Sequence, residues 1–75
     1  MYGTVHDIIH LDETSCLPLS NSPEGNILYG EDGRPLGWKN GELIFIDPTS
    51  RKGNWIMATY DHKVIGWVNA KYVWY

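Results

Sequence analysis

The stretch HDIIH is the first part of this chain that could do chemistry, because it sets His6 and His10 four residues apart with Asp7, Asp12, Glu13 and Cys16 close by. On a helix that spacing turns two imidazoles to one face, where they can share a zinc ion. The segment is short and β-branched, and on a strand the same two rings stand roughly 13 Å apart at about 3.3 Å per residue. Solvated histidines on a strand are the expectation, with no metal and no other cofactor. Serine, histidine and aspartate are all present, but no strand-turn-helix elbow presents a nucleophile, and so small a chain has little interior for an active-site cavity. The glycine-rich GEDGRPLG, beginning at Gly30, lacks a following helix whose N-terminus could hold a phosphate, so it reads as a turn. Catalysis is not expected.

With 75 residues the chain is read as one domain, 1–75, and a domain of this size buries only about 60% of its unfolded surface. Four Trp, five Tyr and one Phe are more aromatic surface than so thin a core encloses. Part of that surface should face outward, where aromatic clusters usually bind something. Nine acidic residues against six basic ones give a net charge of −3, and the longest basic run is Arg51 and Lys52. Nothing here could neutralise a row of phosphates, so nucleic acid and membrane surfaces are not expected partners. Cys16 is the single cysteine, which excludes an intramolecular disulfide and reads as a small half-buried side chain. No apolar segment approaches the roughly 20 residues that span a bilayer, and MYGTVHDIIHLDE has no leader pattern, so the expectation is a cytoplasmic chain or a module cut from something larger.

Eight Gly, four Pro and the absence of helical periodicity predict an all-β fold of short strands and tight turns. The central strand is ELIFI, Glu42 to Ile46, whose unbroken apolar run predicts burial on both faces; DPTSRKGN after it reads as a loop. In NWIMATY the alternation puts Ile56, Ala58 and Tyr60 inward, and Trp55, Met57 and Thr59 outward. A hairpin through DHKV leads to VIGWV, with Val64 and Val68 inward, Ile65 and Trp67 outward, and Gly66 relieving crowding or marking a bulge. NAKY is expected to form one 3₁₀ turn before VWY resumes the strand. Glu31 to Arg34, with its Asp-Gly, predicts a turn between NILY and PLGW. LPLSNSPEGN reads as a loop after a short strand, while GTVHDIIHL is an edge strand or, within residues 1–15, an N-terminal extension. Trp38 and Trp74 are assigned to packing or edge cover.

The segments LGWKNGELIFI, GNWIMATY and GWVNAKYV follow one another with the spacing and residue types of SH3 domains, so Leu36 to Val73 resembles that family. The chain is also similar to bacterial SH3b modules in its GWV ending and, more loosely, in GTV and LPLSNSP. The resemblance implies a small SH3-like barrel of about five antiparallel strands with a 3₁₀ turn before the last. Two registers are open for the first strand, Ile27 to Asp32 or Leu17 to Leu19. Carried over by position, Trp55 looks like the family's groove tryptophan and Tyr72 like the tyrosine of its terminal turn, with Ala58, Val68 and Val73 in the core. Asn69 stands where the family has its groove proline, which argues against proline-rich ligands, since those need parallel aromatic ridges.

These residues lead to a non-enzymatic recognition module that lays an extended peptide across Trp55 and Tyr72. Asn69 would bond its backbone, Glu31, Asp32 or nearby acids would meet a basic side chain, and Tyr29 would join the groove if the first strand is Ile27 to Asp32. Resemblance to SH3b modules implies cell-wall peptide instead, and resemblance to eukaryotic-type SH3 implies a protein partner. A stand-alone regulator or inhibitor of phage or mobile-element type, plugging one host protein, is the second class. Homo-oligomer assembly through the aromatic YVWY end is the third.

Overall fold

The computed structural model describes residues 1–8 and 16–75. His10, Asp12 and Glu13, and the C-terminal part of the expected strand GTVHDIIHL, lie outside the described residues. The elements are β1 (Tyr2–Val5), β2 (Leu17–Pro18), β3 (Gly37–Trp38), β4 (Leu43–Lys52), β5 (Trp55–Tyr60), β6 (Val64–Asn69), a 3₁₀ turn at Ala70–Tyr72, and β7 (Val73–Trp74). The fold is all-β. A five-stranded antiparallel sheet has the order β6-β5-β4-β1-β7, and β2 pairs with β3 in a separate two-stranded sheet.

The N-terminal strand is short and lies inside the sheet, between β4 and β7, where an edge position was expected. Neither Leu17 to Leu19 nor Ile27 to Asp32 takes the place beside β4; Tyr2–Val5 does. Gly3 makes that position available, because a Cβ there would stand 2.7 Å from the Trp74 carbonyl oxygen and from a Val73 methyl. Only a glycine lets β7 close against β1 at this distance.

β4 runs longer than ELIFI predicts. Pro48 cannot donate to the ladder, and the register with β5 breaks between Asp47 and Lys52. The Ser50 hydroxyl fills the gap, accepting from the Met57 N–H at 3.0 Å and donating to the Asp47 carbonyl at 2.6 Å. Pairing resumes at Lys52 opposite Trp55, closed by a two-residue turn with Gly53 at φ 59°. At the other end of β5, Asp61 and His62 both take positive φ, as the primed hairpin turns require.

Alternation sorts the sheet into two faces. Val5, Ile44, Ile46, Ile56, Ala58, Val68 and Val73 point inward and are buried. Each large aliphatic side chain among them contributes about 1.5–3 kcal/mol by leaving water. Burial of β4 is one-sided, against the expectation from its apolar run: Leu43 and Phe45 are exposed. No second layer covers that side within the described residues, so their apolar character serves something other than the core.

The opposite wall of the core comes from the long connection before β4. Leu17, Leu19 and Trp38 are buried there, with Leu28 and Leu36 packed against them. Leu19 N–H donates to the Leu36 carbonyl, Leu36 N–H to the Leu28 carbonyl, and Leu28 N–H to the Leu19 carbonyl, at 2.9, 2.9 and 2.8 Å. This closed ring of backbone bonds joins three chain segments where no regular strand forms. Ser20 then attaches the layer to the sheet, exchanging two 2.8 Å backbone bonds with Trp67 of β6.

Leu19 packs directly on Gly66, where a Cβ would fall 2.7 Å from Leu19 Cγ and 2.6 Å from the Ser20 carbonyl oxygen. Crowding, then, is the reason for the glycine. Gly66→Ala is expected to cost about 1–3 kcal/mol, as overpacking does, and to lower Tm by about 4–8 °C per kcal/mol in a calorimetric scan. An unchanged Tm would mean that the Leu19 layer is not held against β6.

Candidate functional site

Trp55 opens β5 and pairs with Asn69, the last residue of β6. Both are half-buried, and both follow the outward parity of Met57 and Trp67. Asn69 also caps the 3₁₀ turn, its Oδ1 accepting the Lys71 N–H at 3.0 Å, which satisfies a donor the short turn cannot use. The Ala70 N–H donates to the Asn54 carbonyl at 2.7 Å, tying the turn to the start of β5. Tyr72 ends the turn half-buried, with the Lys71 ammonium 5.5 Å from its ring centre. Trp55, Asn69 and Tyr72 therefore gather at one end of β5 and β6.

Tyr29, Glu31 and Asp32 belong to a different part of the surface. Tyr29 is exposed and bridges Pro35 across the turn, and Gly33 takes the positive φ that the Asp-Gly pair predicts. Asp32 is committed locally, its Oδ1 accepting the Arg34 N–H at 3.0 Å. The tip of this hairpin borders a cleft of about 770 Å³ lined by Arg34, Pro35, Lys39, Glu42, Cys16 and Tyr60. Tyr60 is the far end of β5, roughly 16 Å from Trp55 at about 3.3 Å per residue. Among the described residues, no hydrogen bond or ring contact links the hairpin to Trp55, Asn69 or Tyr72.

Glu42 uses its carboxylate on the Lys39 N–H at 2.7 Å, and Tyr60 meets Trp38 edge-on at 5.4 Å. His6 contacts Asp7 at 2.9 Å and stacks on Trp74 with ring centres 4.0 Å apart. Among the described residues, no three His, Cys, Asp or Glu side chains are grouped to hold a metal ion, and no helix is long and apolar enough to cross a membrane.

A larger feature escaped the sequence reading. The outward side chains of the sheet form adjoining rows: Trp74, Thr4 and Leu43; then Tyr2, Phe45, Thr59 and Ile65; then Asp47, Met57 and Trp67. Trp55 and Asn69 continue this face toward the 3₁₀ turn. Tyr2 and Phe45 meet edge-on at 5.1 Å, and Lys52 Nζ lies 5.6 Å from the Trp67 ring. The sequence signal was present, since ELIFI and VIGWV carry apolar residues at both parities. Read strand by strand, that pattern looks like two-sided burial.

Asp47 is the one carboxylate on the face whose ionisation is visibly tuned. The Thr49 hydroxyl and backbone N–H donate to its Oδ1 at 2.6 and 3.1 Å, and these bonds hold its pKa below the usual carboxylate range.

Searches against protein families, characterised proteins and solved structures find no match to this chain.

Two outcomes follow for the face and its capped corner. A group with a lowered folded pKa stabilises above its unfolded pKa and loses that contribution as pH falls through the folded one. The stability gap between wild type and Thr49→Val should thus be full above ~pH 4 and shrink in more acid solution, read by chemical unfolding across that range. Asn69→Ala should cost about 1 kcal/mol through the lost cap, while Asn69→Asp, which keeps the acceptor, should unfold near the wild-type midpoint.

Proposed function

We propose that this protein is a non-enzymatic recognition module of SH3-like architecture that binds an extended peptide segment of a protein partner at the corner formed by Trp55, Asn69 and Tyr72. The architecture is supported by strand order: β1 pairs with both β4 and β7, and a 3₁₀ turn separates β6 from β7. The binding role rests on one observation above the others. Two large aromatics, Trp55 and Tyr72, stand half-buried at one corner although the core closes without Trp55.

Such side chains give a ligand flat apolar area at low entropic cost, and their truncation commonly costs about 2 kcal/mol of binding. Asn69 contributes a free amide donor, because its oxygen is occupied by the cap and its Nδ2 is not. The asparagine in the family's proline position thus exchanges an apolar ridge for a backbone-directed hydrogen bond. Tyr29, Glu31 and Asp32 have no part in this corner.

Trp55→Ala should weaken binding to peptides selected on an array by about 30-fold while costing no more than about 1 kcal/mol of stability. A loss of about 3–5 kcal/mol, typical of a buried tryptophan, would make Trp55 a core residue and overturn the proposal. Capture of purified peptidoglycan in place of protein peptides would redirect it to cell-wall ligands.

A further inference from the structure

The hydrogen-bonding groups around the Trp55 corner divide into engaged acceptors and open donors. The Asn69 side-chain oxygen takes the Lys71 N–H, the Asn54 carbonyl takes the Ala70 N–H, and the Gly53 carbonyl takes Arg51 Nε at 2.8 Å. Asn69 Nδ2 and the Trp55 indole N–H can only donate, and neither has a hydrogen-bond partner among the described residues. Three of the six basic residues border the same corner. Lys52 pairs with Trp55 across the β4–β5 turn, its ammonium against the Trp67 ring, and Lys71 holds its ammonium 5.5 Å from the Tyr72 ring. Both lysines are exposed, and neither meets a carboxylate among the described residues. Arg51 also keeps its charge uncompensated there, because it donates to the neutral Gly53 carbonyl and Tyr75 hydroxyl.

Resting on the peptide-binding reading of this corner, we infer that the segment it takes is acidic, with Asp or Glu side chains two or four residues apart that reach Lys52 and Lys71. Carboxylates and backbone carbonyls accept hydrogen bonds, and the open groups of the corner donate them. The spacing fits as well. Lys52, Trp55 and Asn69 stand in one row across three strands, which sets Lys52 about 10 Å from Asn69 at about 4.8 Å per strand, and Lys71 follows Asn69 by two residues. Side chains two or four apart on an extended peptide recur at about 7 or 13 Å and bracket that interval. The acids bordering the corner are already committed. Asp47, opposite Met57, accepts both Thr49 bonds, and Asp7 contacts His6, whose N–H donates to the Tyr72 carbonyl. Asp61 lies in the turn at the opposite end of β5 and β6. A basic segment would meet two unpaired ammonium groups of its own sign.

Fluorescence anisotropy of the full chain with three matched libraries of labelled decapeptides tests this, each library carrying Glu, Gln or Lys at every second position and mixed uncharged residues elsewhere. At low salt the Glu library should bind about 5–10-fold more tightly than the Gln library, as two exposed ion pairs allow, and the Lys library should bind most weakly. The gap should narrow as salt rises. Lys52→Gln combined with Lys71→Gln should erase the preference for Glu over Gln with an unchanged far-ultraviolet circular dichroism spectrum. Lys63→Gln, in the distant β5–β6 turn, should keep it. Equal binding of the Glu and Lys libraries, or a Glu preference that survives the paired lysine changes, would overturn the inference; the corner would stand as a peptide site if Trp55→Ala still weakened that binding. Absence of any binding that depends on Trp55 would overturn the peptide site and the inference together.

Discussion

The contact of Leu19 with Gly66, fixed by the reciprocal bonds between Ser20 and Trp67, holds the rest of this protein in place. A single five-stranded sheet cannot bury its inner face unaided. Among the described residues no α-helix is available to cover it. The cover is instead an irregular connection whose leucines satisfy their backbone groups in a closed ring, and which is bonded to β6 through Ser20 and to Val5 of β1 through Gly41 and Glu42. A side chain on residue 66 would meet the Ser20 carbonyl oxygen at 2.6 Å and Leu19 at 2.7–2.8 Å and force that layer to shift. Leu17, Trp38 and Tyr60 would then lose their common packing.

With the core on one side, the other side of the sheet is released from folding duty. That face carries Tyr2, Leu43, Phe45, Ile65, Trp67 and Trp74, residues costly to expose and unnecessary to the core. The corner at Trp55 and the centre at Phe45 differ in kind. The corner has a directed polar group in Asn69, suited to a backbone; the rows around Phe45 are apolar apart from the hydroxyls of Thr4 and Thr59.

Much of the second half was legible in the sequence. The inward parity of Ile56, Ala58 and Val68, the 3₁₀ turn at Ala70–Tyr72 and the resumption at Val73 all follow from local alternation and turn chemistry. The first half was legible only in pieces. Short strands separated by Gly, Pro and Asn carry too few alternations to fix their partners, so Tyr2–Val5, an internal strand, resembled an edge. DPTSRK read as a loop because the Ser50 hydroxyl that repairs the ladder beside Pro48 is a tertiary event.

Residue types and their periods alone determined that the chain is all-β, that it has too many aromatics for its core, and that Trp55 faces away from that core. Tertiary structure alone decided which aromatics share a surface. Adjacency across strands depends on register and on which segment enters the sheet, and both are set by long-range fits such as Leu19 on Gly66 and β7 on Gly3. Hence Tyr29, Glu31 and Asp32 fall on a separate hairpin, while Phe45 and Tyr2, far apart in the chain, meet at the centre of one face.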